Sequence, residues 1–277
     1  MQINMKKFLV PTDFSHAAGT SVDYAAAMAQ FMGAEILLFH AFHIPIPSTE
    51  APVVLISEED LMNENLTTLK KFAQTLTDKF PGLTVNCLVN SGFAAEEIPK
   101  IAMSQKADLI VMGVGGSGMV DEYLFGSTTV GVIRHTKIPV LVIPKNHIFS
   151  PPAGIVFSCD YTELRQLSTA DLIKNIVKTF NSHLFVLSVE REGDRVSIEK
   201  AISGVHIEGA FSEIKHSLHF PYGDDVVSGI NEFADQHKAG WVIMIPHEHG
   251  FLDRLLNRSL TRKMIFHTHT PLFVIHD

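Results

Sequence analysis

The chain has 277 residues, of which 46% are hydrophobic and 19% charged, and its formal net charge is -8 at pH 7. These values describe a globular protein of one or two domains and argue against a nucleic-acid partner, which asks for a basic surface. No apolar run reaches the roughly 18 residues that a membrane-spanning helix needs, so no membrane partner is expected.

Met1 to Lys7 runs straight into the strand-like Phe8-Leu9-Val10 without a signal-peptide pattern, and the expected location is cytoplasmic. The first strand closes on Pro11-Thr12-Asp13-Phe14-Ser15. Ser15 suits a helix N-cap, the helix runs to Met32, and Gly33 stops it. Glu35 to His40 is an apolar strand. Ser57 and Asp60 form a capping box for a helix that ends near Phe80-Pro81-Gly82. Thr84 to Val89 alternates as a strand should, and Ala95 to Lys106 is helical, with Pro99 tolerable only near its first turn. Asp108-Leu109-Ile110-Val111-Met112 reads as a buried strand, Thr128 to His135 as a short helix, and the last strand lies at Val140. Strand–helix alternation of this kind implies a parallel sheet with helices on both faces.

The chain also repeats itself. Phe8-Leu9-Val10-Pro11-Thr12-Asp13-Phe14-Ser15 is echoed by Ile155-Val156-Phe157-Ser158-Cys159-Asp160-Tyr161-Thr162, and Ser127 to Ile143 by Ser259 to Ile275. Such self-similarity argues for duplication, with the joint in the proline-rich stretch from Lys145 to Pro152. The expected domains are 1–146 and 152–277. The second follows the same order but reads less clearly between Arg191 and Phe220, where Gly193, Gly204 and Gly209 weaken its middle helix. Cys87 and Cys159 lie far apart, give neither a disulfide framework nor zinc spacing, and are expected as buried free thiols.

The most telling segment is Gly113-Val114-Gly115-Gly116, followed by Ser117 to Phe125 and then Gly126-Ser127. A strand, a glycine loop and a helix start are the parts of a phosphate cradle: glycine admits close approach of an anion, and the helix start offers unpaired N–H groups. In sheets of this class ligands sit beyond the carboxyl ends of the strands, where the winding reverses. Asp13 ends the first strand and Gly113 the fourth, so both flank one crevice if those strands are neighbours. A carboxylate there suits hydrogen bonds from a ribose or a base amine.

These residues resemble the universal stress protein family, whose nucleotide-binding members carry glycine, two residues, glycine, nine residues, glycine, then serine or threonine. Gly113, Gly116, Gly126 and Ser127 fill that pattern, Val10-Pro11-Thr12-Asp13-Phe14-Ser15 is also typical, and the resemblance extends over both halves. It implies two tandem Rossmann-like α/β domains, each a five-stranded parallel sheet in the order 3-2-1-4-5. It further implies that Pro11, Thr12 and Asp13 line an adenosine pocket and that Ala41 offers its backbone to adenine. Met112 and Gly113 would border the ribose, and Gly116, Gly126, Ser127 and Thr128 would hold the phosphates, with Gly115 in the same glycine stretch. The implied ligand is ATP or another adenine nucleotide, with or without magnesium. The loop from Ser117 to Phe125 departs from an easy anion site, because it holds Asp121 and Glu122 and no lysine or arginine.

The second half lacks the glycines: Ile245, Glu248 and Arg258 stand in their places, and only Asp160 and Ser259 survive. No nucleotide is expected there. His247 and His249 are candidate metal ligands on the loop after its fourth strand, while His267 matches His135 and reads as packing or capping. No nucleophile–base–orienter set stands out. Ser15 and His16 are only neighbours in sequence, Cys159 beside Asp160 is not activated, and the glycine loop lacks a Walker lysine. The resemblance implies slow hydrolysis at most.

The leading reading is a stress-response binding or signalling module with an unidentified protein partner. The alternatives are an interaction module with an empty crevice and a weak nucleotide hydrolase. Family members often dimerise through their last strands. Val140-Leu141-Val142-Ile143 and Leu272-Phe273-Val274-Ile275 are expected to pair that way within the chain, parallel or antiparallel, as an intramolecular pseudo-dimer, with a homodimer left open.

Overall fold

A computed structural model describes residues 5–44, 57–114, 127–159, 170–190, 198–246, 263–265 and 268–276. The described elements alternate along the chain. The first half holds β1 (Lys7–Pro11), α1 (His16–Met32), β2 (Glu35–Phe42), α2 (Glu58–Lys79), β3 (Val85–Ser91), α3 (Ala94–Ser104), β4 (Leu109–Gly113), α4 (Ser127–His135) and β5 (Val140–Ile143). The second holds β6 (Gly154–Ser158), α5 (Ala170–Phe180), β7 (His183–Leu187), α6 (Ile198–Phe211), β8 (His216–His219), α7 (Val226–Gln236), β9 (Trp241–Met244) and β10 (Leu272–Val274). Residues Met5–Ile138 and Lys145–Phe149 form one compact body, and Pro139–Pro144 with Ser150–Asp277 form another.

In the first body the strands run parallel in the order β3-β2-β1-β4. β1 is interior, so its apolar residues serve both faces, and Phe8, Leu9 and Val10 are each 0% exposed. The helix limits follow local chemistry. Ser15 caps α1, its side chain accepting from the Ala18 N–H, and Gly33 ends the helix at φ 62°, the left-handed region that glycine enters without strain. Ser57 opens α2 as a capping residue, with its Oγ accepting from Asp60 N–H at 3.0 Å and donating to Asp60 Oδ2 at 2.6 Å. Pro99 lies inside α3, beyond the first turn to which the sequence pattern would confine it. It is buried there, so packing outweighs the one ladder hydrogen bond that proline cannot make.

In the second body the order is β5-β10-β9-β6-β7-β8. β10, β9, β6, β7 and β8 are mutually parallel, and β5 joins antiparallel to β10 with Leu272 opposite Val142, Phe273 opposite Leu141 and Val274 opposite Val140. The final strand of each half therefore pairs with the other. α6 is a helix of 14 residues despite Gly204 and Gly209 within it, and its Ile207 and Phe211 are fully buried. Tertiary burial overrides a local cost of about 1 kcal/mol per glycine. Both cysteines are free and half-buried rather than fully buried as expected, and burial pushes the Cys87 thiol up against the opposing pull of Lys70.

The centre of the second core is Trp241, the single tryptophan of the chain, stacked on Phe273 at 5.5 Å and meeting Phe180 edge-on at 5.0 Å. Replacing Phe273 by alanine empties a fully buried site and should cost about 3–5 kcal/mol. Urea denaturation followed by Trp241 fluorescence reads this body alone, and the midpoint should fall accordingly.

Candidate functional site

The winding of the first sheet reverses between β1 and β4. Phe8 pairs with Leu109 and Leu9 with Ile110, so the strands run side by side and their carboxyl ends emerge together. Pro11, Thr12 and Asp13 stand at one end, Met112 and Gly113 at the next. On the other side of β1, Pro11 pairs with Phe39 and β2 continues past it to Ala41 and Phe42, with Ala41 opposite Asn90 of β3. Ala41 is thus at the same edge of the sheet. Ser127 and Thr128 open α4, which is tied to β4 where Thr129 Oγ1 donates to the Gly113 carbonyl at 3.0 Å.

The turn from β1 to α1 is held by consecutive short-range bonds. Thr12 is 5% exposed; its N–H donates to Phe39 O at 2.8 Å, and its Oγ1 accepts from Phe14 N–H at 3.1 Å. Asp13 Oδ1 accepts from Ser15 N–H at 3.0 Å, and Ser15 Oγ accepts from Ala18 N–H at 3.2 Å. The Thr12 carbonyl accepts a hydrogen bond from His40 Nδ1 at 2.8 Å; a carbonyl only accepts, so the His40 proton sits on Nδ1. These bonds fix the direction of an exposed carboxylate at the mouth of the switch point.

Phe14 carries a role that the sequence reading did not assign. Its φ is 62°, an uncommon value for a side-chain-bearing residue. The two side-chain turns around it force that conformation, and its ring rests on His40 at 4.6 Å and Phe72 at 5.9 Å. The signal was present in the run Thr-Asp-Phe-Ser, in which two short oxygen-bearing side chains each bond the N–H two residues on.

Gly113 serves packing as well. A Cβ there would lie 3.3 Å from the Ala17 carbonyl and 3.5 Å from Ser21 Oγ, so α1 crosses closely over the end of β4. Gly115, Gly116 and Gly126, like Asp121, Glu122, His247, His249 and His267, lie outside the described residues. Ile245 lies just past β9, whereas Gly113 is the last residue of β4 in the first half. His135 Nδ1 bonds the Gly131 carbonyl at 2.7 Å at the end of α4. Among the described residues, no group of His, Cys, Asp and Glu is arranged to hold a metal ion, and no helix is long and apolar enough to cross a membrane.

A parallel sheet wound in both directions from β1, with helices between its strands, defines a Rossmann-like α/β protein. Comparisons narrow this further. The sequence profile of the universal stress protein family matches residues 4–144, half of the chain, and the protein belongs to that family. A universal stress protein of Methanocaldococcus jannaschii is 29% identical over 161 residues, covering 53% of this chain and 99% of the relative. A second from the same organism is 32% identical over 146 residues, covering 50% of this chain and 82% of the relative. The crystal structure of a universal stress protein from Archaeoglobus fulgidus matches over 99% of this chain and 97% of its own, with a TM-score of 0.75 at 20% identity, a likeness of fold.

Gly113→Val should destabilise the first body by about 1–3 kcal/mol through overpacking against α1. Nucleotide-free hydrogen exchange in α1 reads this directly, and faster exchange there is the expected result.

Proposed function

We propose that the first body binds an adenine nucleotide at the β1–β4 switch point and that the protein works as a nucleotide-dependent binding module. The observation that carries this reading is the adjacency of β1 and β4, whose carboxyl ends lead to Asp13 and to Met112–Gly113. In sheets of this class that location is the ligand crevice. Asp13 would accept hydrogen bonds from the ribose or the base amine, with Pro11 and Thr12 beside it. Ala41 would offer its main chain to the adenine. Gly113, Gly115, Gly116 and Gly126 would let the backbone approach the phosphates, and Ser127 and Thr128 would meet them at the start of α4. A helix start supplies only a fractional positive charge, so magnesium is the natural partner for a triphosphate. The second half, with Ile245 in place of the first glycine, would bind no nucleotide in this mode, leaving a single site per chain.

Titration calorimetry of the full chain with ATP, ADP and AMP, each with and without magnesium, tests the reading. One nucleotide per chain is expected. Asp13→Ala should cost about 1.5–3 kcal/mol of binding, at least about tenfold in Kd. Asp13→Asn keeps the acceptor that Ser15 N–H needs, so a loss in both variants assigns the effect to the carboxylate charge. Absence of heat with every nucleotide at millimolar concentration would overturn the proposal.

A further inference from the structure

The second body carries a histidine cluster that nucleotide binding leaves unused. His183 opens β7, His216 and His219 begin and end β8, and His237 caps the C-terminus of α7. β8 is four residues long and ends the strand order of its sheet, bonded to β7. Phe185 pairs with Ser217 and Leu187 with His219. Strand alternation then sets His183, Phe185, Ser217 and His219 on one face and His216 on the other.

On the first face, Ser217 Oγ lies 2.8 Å from His183 Nε2 and 2.8 Å from His219 Nε2. A hydroxyl has a single proton to donate. It also has two accepting lone pairs, so it either donates to one bare Nε2 while accepting an N–H from the other ring or accepts an N–H from both, and two added protons therefore place two cationic rings on one oxygen. α7 closes over this bridge. Its Phe233 lies 4.8 Å from His219 and 5.9 Å from Phe185, and His237 stacks on Phe233 at 3.9 Å. Phe185 sits among the rings, 4.6 Å from His183, 5.7 Å from His219 and 4.9 Å from His237.

The charged neighbours do not compensate added protons. β8 brings His216 and the preceding Lys215, and α7 brings His237, which lies 5.6 Å from His219. Among the described residues, the hydrogen-bond partners of His183, His219 and His237 are a serine hydroxyl and the Phe233 carbonyl. The α7 carboxylates of Glu232 and Asp235 are exposed, as is the following Lys238. On the opposite face α6 sets Phe211 against His216, and the Glu208 carboxylate accepts from His216 Nε2 at 3.1 Å.

We propose that His183, Ser217 and His219 form a proton-sensitive latch: the shared hydroxyl holds β8 to β7 beneath α7 while the rings are neutral, and the repulsion between two cationic rings gathered on one oxygen loosens this edge of the sheet. Burial is the first cause that pushes both imidazoles below their ordinary range. His216, Lys215 and His237 add to the effect on His183, and His237 and His183 add to it on His219. The folded state therefore binds fewer protons than the unfolded chain. The stabilisation is complete above the ordinary imidazole pKa of about 6.5 and is lost as pH falls through the window below it. Each ring contributes up to about tenfold in the opening equilibrium per pH unit.

Hydrogen exchange on the nucleotide-free full chain, corrected for the intrinsic pH dependence of exchange, tests the latch between about pH 7.5 and about pH 5. Opening of β8 and α7 should rise at least about tenfold more than opening of β1 and β2. H183Q and H219Q, which keep polar groups that do not titrate, should each reduce that excess. Imidazole titrations by NMR on the unaltered protein give a second reading that needs no variant: His183 and His219 should titrate below the ordinary value. Equal pH dependence in β8, α7, β1 and β2 would overturn the latch, as would ordinary titration of both rings. The nucleotide reading stands or falls separately, because these measurements contain no ligand.

Discussion

The side chain of Asp108 settles where β1 lies against β4. Its Oδ2 accepts the backbone N–H groups of Lys6 and Lys7 at 2.8 and 2.9 Å, while its own N–H donates to Lys7 O at 2.8 Å. One carboxylate thus replaces the ladder partners that the opening residues of β1 would otherwise lack, and it does so from the residue that leads into β4. A shift of one residue would turn every β1 side chain to the opposite face. Phe8, Leu9 and Val10 are buried, and such a slip would also move Thr12 away from its bonds to Phe39 and His40. The position of Asp13 at the far end of the strand is therefore a consequence of a clamp at the near end.

Gly113 shows why a glycine motif cannot be read as ligand chemistry alone. The residue stands where an anion would need close access to the main chain, and α1 also needs its missing side chain, since the Ala17 carbonyl is 3.3 Å from where a Cβ would be. The packing demand follows from the close passage of α1 over the end of β4. Loss of binding in a Gly113 variant would thus mix two effects. A change at Asp13 separates them more cleanly, because the side chain is exposed and its local bond to Ser15 survives in the asparagine variant.

Much of the fold was legible because its determinants are local. Ser15, Gly33 and Ser57 set helix ends through bonds within a few residues, and the apolar run before Gly113 reads as the buried strand that it forms. The neighbouring positions of Asp13 and Gly113 depended on strand order, which no local pattern carries; the family resemblance provided it. Other features were out of reach for physical reasons. The positive φ of Phe14 results from two side-chain turns acting together. The antiparallel direction of β5 on β10 depends on how two distant strands meet. α6 persists through two internal glycines because Ile207 and Phe211 are buried by residues far away in sequence. The histidine cluster draws on β7, β8 and α7, and nothing in the spacing of His183, His219 and His237 announces it.

The two halves open their first strand pair differently. In the first body Lys7 pairs with Glu35, and their side chains form an ion pair at 3.4 Å. Both groups are partly exposed, so this contact contributes about 0–1 kcal/mol. The corresponding strand pair in the second body opens with Gly154 opposite His183. A Cβ on Gly154 would fall 2.9 Å from Phe185 Cε2. Glycine here makes room for the Phe185 ring, and that ring is the surface on which His183, His219 and His237 gather. One repeated strand pair has thus been resolved in two ways. A solvated ion pair is largely indifferent to pH near neutrality, whereas an aromatic platform lined with imidazoles trades that indifference for a response to protons.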